Sequence, residues 1–105
     1  MERSIFGIQA DFCRAMGNAT RLQILHILRE YPMTVTEIMV RLGVSQSMVS
    51  RQLAVLRSVG VVAGERRGHE IVYCLTDKKI GEVCDLVRAV LVEQTQKQSL
   101  VLNDL

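Results

Sequence analysis

The chain has 105 residues, of which 49% are hydrophobic and only 4% aromatic, and its formal net charge is +2. This length supports one domain with a modest core of aliphatic side chains and methionine, and so weak a net charge does not by itself indicate a nucleic-acid partner. The sequence contains neither a signal-peptide pattern nor the roughly 18 consecutive apolar residues of a membrane span, so we expect a cytoplasmic protein without membrane contact.

Two helices are predicted at the start of the chain. Apolar residues recur at helical spacing between positions 5 and 16, which indicates a first helix that ends near Gly17. Asn18 is a suitable N-cap for a second helix over residues 19–30, which is apolar almost all round and is therefore predicted to be central. Pro32, the only proline, separates it from the next element.

Residues 34–60 are predicted to form a helix-turn-helix. Thr34 and Glu37 have the spacing of a capping box, which would start a short amphipathic helix. Gly43 can adopt the left-handed conformation that ends this helix, and Ser45 is a good N-cap for the next one. The second helix keeps its apolar side chains on one side, and the polar side chains of its first turns are small enough to enter the major groove of DNA.

Residues 61–75 are predicted to form a β-hairpin, because two β-prone runs flank a charged tip that contains glycine. A hairpin with arginines at its tip, directly after a candidate recognition helix, is typical of a wing. Arg66, Arg67 and His69 at this tip can reach phosphates or the minor groove. Residues 41–70 contain five arginines and two glutamates, so the helix-turn-helix and the wing carry a local net charge of +3.

A last helix is predicted over residues 77–96, capped by Asp77. The first and last helices are both more apolar than the outside of so small a domain requires, so we predict that they form a homodimer surface. A twofold axis would place two recognition helices in successive major grooves, ~34 Å apart, of an imperfect inverted repeat. The predicted fold is mostly α with a small β-hairpin, a single winged helix-turn-helix domain over residues 1–105 that binds double-stranded DNA.

Several motifs resemble those of the ArsR/SmtB family of transcriptional repressors. The resemblance covers N-A-T-R-L-Q-I-L at 18–25, L-G-V-S-Q-S-M-V-S at 42–50, the stretch 53–62, and Val72-Tyr73. It implies a homodimeric winged-helix repressor that releases operator DNA when an inducer binds, often a metal ion, a metalloid or a reactive sulfur species. Carried over by position, it implies these DNA contacts: Ser45, Gln46, Ser47, Ser50, Arg51 and Gln52 on the recognition helix, and Arg66, Arg67 and His69 on the wing. Gln52 stands where the family often has His.

The metal sites of the family are not intact in this sequence. Arsenic and cadmium sensors of the family have Cys-x-Cys at the start of the third helix, where this chain has Thr34 and Thr36, and hydroxyls cannot replace thiolates for soft metals. Zinc sensors of the family share four ligands of the last helix across the dimer. The matching positions here are Asp77, Lys79, Val90 and Glu93, which lack both imidazoles that a tetrahedral zinc site would need.

Three cysteines remain as candidate thiol sensors: Cys13 on the first helix, Cys74 on the second wing strand and Cys84 on the last helix. If the first and last helices pair as in the family, Cys13 and Cys84 could approach each other and form a disulfide or polysulfide link. A third thiol could complete trigonal thiolate binding of a metalloid. The alternative is that these cysteines are small core residues. His26 is interpreted as a core or interface histidine rather than a ligand.

The resulting prediction is a sequence-specific DNA-binding transcriptional regulator, a repressor released by a metalloid, or by redox or reactive-sulfur chemistry at cysteine. The alternative is a winged-helix dimerisation or protein-interaction module without specific DNA binding. The polar recognition surface argues against this alternative, because protein-binding faces favour aromatic anchors. An enzyme is not expected, since the sequence has no nucleophile motif, phosphate loop or opposed pair of carboxylates.

Overall fold

A computed structural model describes the backbone of residues 3–104 and the side chains of residues 3–98. The elements in chain order are α1 (Ile5–Ala15), α2 (Ala19–Leu28), β1 (Met33–Thr34), α3 (Val35–Leu42), α4 (Gln46–Ser58), β2 (Val62–Arg67), β3 (Glu70–Leu75) and α5 (Lys78–Asp104). The predicted order of four helices, a hairpin and a final helix is confirmed. Strand β1 is an addition that the sequence did not indicate, and α5 continues past residue 96, where its end was predicted.

Helix boundaries follow the capping residues closely. Asn18 Oδ1 accepts a hydrogen bond from the Arg21 backbone amide at 3.0 Å, which starts α2. At the start of α3, Thr34 and Glu37 exchange side chain to backbone hydrogen bonds of 3.2 Å in both directions, so the predicted capping box is formed. Gly43 ends α3 with φ of 67°, a left-handed conformation that glycine adopts without steric cost.

The three strands form one antiparallel sheet in the order β1-β3-β2. β2 and β3 are the predicted hairpin, paired from Val62 opposite Leu75 to Arg67 opposite Glu70. Its two-residue turn has Gly68 at the first central position with φ of 65°, as type II′ hairpins require. β1 pairs with the other edge of β3, and Thr34 in β1 also caps α3. The sheet therefore joins the wing directly to the helix-turn-helix.

The core lies where α2, α3 and α4 meet the base of the wing. Helix α2 contributes four buried residues out of ten, which confirms that it is central. Methionine and aliphatic side chains dominate, as the composition predicted. The core cluster consists of Ile24, Leu25, Ile27, Leu28, Met33, Ile38, Val49, Leu53, Leu56, Val61, Val62 and Tyr73. His26 is exposed on α2 and is therefore not a core histidine, and the interface role that was the other part of the interpretation stays a prediction.

Helix α5 is attached to the rest of the domain mainly at its beginning. Ile80 and Cys84 pack against the core, and Arg29 at the end of α2 forms an ion pair with Asp85. Arg29 reaches Asp85 by crossing α5 at Gly81, where an added Cβ would lie 2.5 Å from Arg29 Cδ and 2.7 Å from its Cγ. Within the described residues, no helix is long and apolar enough to cross a membrane.

Candidate nucleic-acid interface

One side of α4 is polar and exposed from its first turn onwards. Ser45 Oγ caps the helix by accepting a hydrogen bond from the Met48 backbone amide at 3.2 Å, and it lies 3.2 Å from Ser47 Oγ. We define the polar α4 surface as the five exposed residues Ser45, Gln46, Ser47, Ser50 and Arg51. The opposite side of the helix is buried in the core. The structure therefore brings five of the predicted DNA contacts together on one open surface.

Gln52, the sixth residue predicted from α4, does not belong to this surface. Its side chain is buried, with the residue 8% exposed, and its Oε1 accepts a hydrogen bond of 2.8 Å from Arg21 Nη1. Its Nε2 lies 3.4 Å from the sulfur of Met48. The prediction that Gln52 contacts DNA is therefore corrected, because its amide is engaged inside the protein. The spacing could have shown this, since residue 52 shares a helical face with the buried residues Val49 and Leu56.

All three predicted wing residues are exposed at or beside the hairpin tip: Arg66, Arg67 and His69. Arg67 is 3.5 Å from Glu65, and both side chains are more than half exposed, so this pair does little to restrain the guanidinium. Arg66 and Arg51 form no ion pair with any carboxylate among the described residues. Their charges are available to an external anion.

A groove of about 310 Å³ separates the wing from the start of α3 and the middle of α4. It is lined by Thr36, Ser50 and His69 among others. Thr36 is exposed and is a candidate contact that the sequence reasoning missed. The available signal was its position in the first turn of α3, where backbone amides and a hydroxyl face outwards and favour an anion.

Not all of the local positive charge faces this groove. Arg41 at the end of α3 donates to both carboxylate oxygens of Glu30, at 2.8 and 3.2 Å. This hydrogen bonding lowers the pKa of the Glu30 carboxyl and raises that of the Arg41 guanidinium. Arg41 therefore connects α3 to the end of α2 and is already partly neutralised. The positive charge of the interface is supplied by the arginines of α4 and of the wing.

A second surface, on α1 and α5, is apolar and exposed. Phe6 of α1 is 78% exposed and Leu86 of α5 is 65% exposed, and similar exposure extends to Ile5, Ile8, Val83, Val87, Val90 and Leu91. A cavity of about 470 Å³ lies between α1, α2 and α5. Cys13 and Cys84 both line it, so two of the three candidate thiols do share one site.

The third thiol lies elsewhere, because Cys74 lines a different pocket beside Arg29 and Lys78. The three cysteines of one chain therefore do not converge on a trigonal thiolate site. Burial raises the pKa of the Cys84 thiol, which disfavours the thiolate that metals and electrophiles require. Cys13 is exposed.

Two of the residues at the metal positions of the ArsR/SmtB resemblance, Thr34 and Asp77, perform other roles. Thr34 caps α3, and Asp77 accepts a hydrogen bond of 2.8 Å from the Lys79 backbone amide. This bond holds the pKa of the Asp77 carboxyl below its ordinary value. Among the described residues, no group of three or more His, Cys, Asp or Glu side chains could hold a metal ion. The donor set does not fit a metal site of the family kind.

A helix-turn-helix with an open polar recognition surface and a basic wing beside it defines a winged-helix DNA-binding domain. Residues 18–63 match the family model described as "Bacterial regulatory protein, arsR family". The chain belongs to the arsR family of bacterial regulatory proteins. It is a DNA-binding transcriptional regulator, and the prediction that it is not an enzyme is confirmed by this membership.

Relatives with this architecture occur in mycobacteria. The HTH-type transcriptional regulator NmtR of Mycobacterium tuberculosis is 42% identical over 76 residues, which are 72% of this chain and 63% of NmtR. The chain therefore spans less than two thirds of NmtR. The uncharacterized HTH-type transcriptional regulator Rv0081 of the same organism is 32% identical over 102 residues, 96% of this chain and 90% of Rv0081.

Solved structures of relatives share the fold. The crystal structure of M. tuberculosis Rv0081 has a TM-score of 0.82 at 29% identity and covers 93% of this chain and 99% of that one. A winged helix-turn-helix DNA-binding domain of Mycobacterium bovis Mb0332, described as homodimeric, has a TM-score of 0.81 at 27% identity. It covers 89% of this chain and 86% of that one. Both structures thus share the fold over most of this chain.

Proposed function

We propose that this chain is a homodimeric, cytoplasmic repressor that binds an imperfect inverted repeat in double-stranded DNA and leaves it when an inducer binds. The observation that carries the proposal is the polar α4 surface, which is exposed next to the basic wing. In this arrangement α4 enters the major groove, and the wing follows the adjacent backbone. Release by an inducer rests on the family resemblance.

Pairing of two copies is supported by the apolar faces of α1 and α5. Phe6 and Leu86 are 78% and 65% exposed, and the contact of such large apolar side chains with water is unfavourable. A second copy of the same surface would cover them. The homodimeric M. bovis relative supports the same assembly. A twofold pair presents two α4 helices, so the operator is expected to be an inverted repeat.

Chemistry assigns different roles to the residues of the interface. Gln46 has the amide donor and acceptor that together recognise an adenine edge. Arg51 has the forked donors that recognise a guanine edge. Ser45, Ser47 and Ser50 leave room for the helix to approach the bases. Arg66 and Arg67 on the wing are suited to phosphates, which hold the protein in register without reading sequence.

The test is fluorescence anisotropy of the reduced protein titrated onto labelled DNA from just upstream of its own gene. Gln46→Ala and Arg51→Ala should each cost about 1–3 kcal/mol of discrimination between the operator and altered sequences. Arg66→Ala should weaken binding to all sequences equally and lower the salt slope by about 1, whereas Lys97→Ala, which removes the same charge far along α5, should leave the slope unchanged. Absence of specific binding would instead favour the protein-interaction module.

The shared cavity of Cys13 and Cys84 supports an inducer that acts on thiols, with a metalloid as the first candidate. Arsenite added to the protein–DNA complex should then reduce the anisotropy, and Cys13→Ser and Cys84→Ser should each abolish this response. Cys74→Ser is the matched control, because it removes a thiol that lines another pocket. A complex that resists arsenite would exclude the metalloid, turn the search to oxidants and reactive sulfur, and leave the repressor proposal standing.

A further inference from the structure

Arg21 connects three helices through one side chain. It lies in the first turn of α2, and its Nε donates to the backbone carbonyl of Ala15 at 2.5 Å. Its Nη1 donates to Oε1 of Gln52 at 2.8 Å, across 31 positions of sequence. The guanidinium thus bonds the last turn of α1 and the middle of α4 simultaneously. We call this arrangement the Arg21 bridge.

Each partner in the Arg21 bridge has a physical reason to be there. The Ala15 carbonyl is among the last four of α1, which have no partner within their own helix and carry the negative end of its dipole. Gln52 is buried and would otherwise leave a polar acceptor unsatisfied in the core. A planar guanidinium offers donors in fixed directions, so one Arg21 satisfies both acceptors with a fixed geometry.

The position of Gln52 on α4 connects the Arg21 bridge to the DNA-binding surface. Gln52 directly follows Arg51, the last residue of the polar α4 surface, and faces inwards where Arg51 faces outwards. A hydrogen bond at this point fixes the rotation of α4 about its axis and the depth at which Gln46 and Arg51 project. The rotation and the depth together determine whether Gln46 and Arg51 reach a base edge.

We infer that Gln52 and Arg21 are positioning residues for DNA binding: the Arg21 bridge holds the recognition helix in its reading orientation and joins it to α1. This inference rests on the proposed function. Ala15 is adjacent in sequence to Met16, which lines the cavity shared by Cys13 and Cys84. The bridge therefore also connects the neighbourhood of that cavity to the helix that carries the polar α4 surface.

The test is a double-mutant cycle of Arg21→Met and Gln52→Met, read out as the dissociation constant for the operator and for altered operators. All proteins are assayed at a temperature at which circular dichroism shows them fully folded. Each single variant should weaken binding to the operator about tenfold or more and should reduce the preference for the operator over every altered operator, because Gln46 and Arg51 are both displaced. The double variant should be no weaker than Arg21→Met alone, because Arg21→Met already removes the bond to Gln52.

Two further variants distinguish positioning from reading. Gln52→Glu keeps an acceptor for Arg21 and should retain binding within about threefold, since a carboxylate bonds a guanidinium more strongly than an amide does. Gln46→Met, an identical side-chain change on the exposed side of α4, should reduce discrimination only at the base pair that Gln46 contacts. A merely structural bridge would change unfolding without changing the binding of the folded protein.

Additive losses in the cycle, or a loss of discrimination in Gln52→Met that Arg21→Met does not share, would overturn the inference and restore Gln52 as a base contact. Failure of the proposed function has a different signature. In that case the unaltered protein would show no preference for the operator, and Gln46→Met would have no effect on discrimination.

Discussion

Replacing Gly81 by alanine is expected to leave stability almost unchanged, because two effects offset each other. Alanine in place of glycine within a helix stabilises by about 0.5–1 kcal/mol. The new Cβ would lie 2.5 Å from Cδ and 2.7 Å from Cγ of Arg29, so this side chain must leave its path across α5 and lose the ion pair with Asp85. A partly exposed ion pair contributes about 0.2–1 kcal/mol. We therefore expect the free energy of unfolding to stay within about 0.5 kcal/mol of the parent value.

The offset should disappear when Arg29 is absent. In an Arg29→Ala background, Gly81→Ala should raise the free energy of unfolding by the full ~0.5–1 kcal/mol of helix propensity. The measurement is urea unfolding followed by circular dichroism, at one protein concentration so that any self-association is held constant. Asp85→Asn is the intermediate background, since it removes the charge partner but keeps Arg29 in place. An equal gain from Gly81→Ala with and without Arg29 would refute the crossing at Gly81.

Three other substitutions test local features of the fold by the same unfolding measurement. Thr34→Ala removes the cap of α3 and should cost about 1 kcal/mol, while Glu37→Gln, which can still complete a capping box, should cost less. Gly64→Val should cost about 1–3 kcal/mol, because an added Cβ already lies 2.8 Å from Ile71 Cγ2, and Ala63→Val on the exposed neighbour should be nearly neutral. The folded-state pKa of Asp77 is lowered, so its contribution is present above the unfolded pKa and is lost as the pH falls through the folded value. Asp77→Asn should therefore lower stability slightly at neutral pH and flatten its decline below about pH 4.

Local signals were sufficient to predict most of the elements. The capping box at Thr34, the left-handed Gly43 and the cap at Ser45 each depend on residues within three or four positions, so the sequence displays them directly. The exposed residues of the polar α4 surface follow from the same reasoning. The unpaired backbone groups at a helix end are bonded by residues a few positions away, so the local sequence predicts where the helix begins and ends.

Features that join distant segments were not predictable in this way. β1 is two residues long, too short to show alternation, and it exists only because β3 offers an unpaired edge. Gln52 was assigned to DNA by its position in the family resemblance. Its spacing indicates a buried face, but its hydrogen-bond partner Arg21 lies 31 positions away and could not be read from local residues. The crossing of Arg29 over Gly81 depends in the same way on tertiary packing, which a single sequence does not display.

Thr34 belongs to the sheet and to the cap of α3 at once, so the wing cannot shift without carrying the helix with it. With the Arg21 bridge added, hydrogen bonds join the end of α1 to α4 and the wing to α3, so we expect these parts of a protomer to move as one rigid body. A small rotation of a rigid body about the face formed by α1 and α5 displaces the parts far from that face by the largest distance. A signal that only slightly reorients two such protomers would therefore carry their recognition helices out of step with the helical repeat of DNA, and neither protomer would have to change shape.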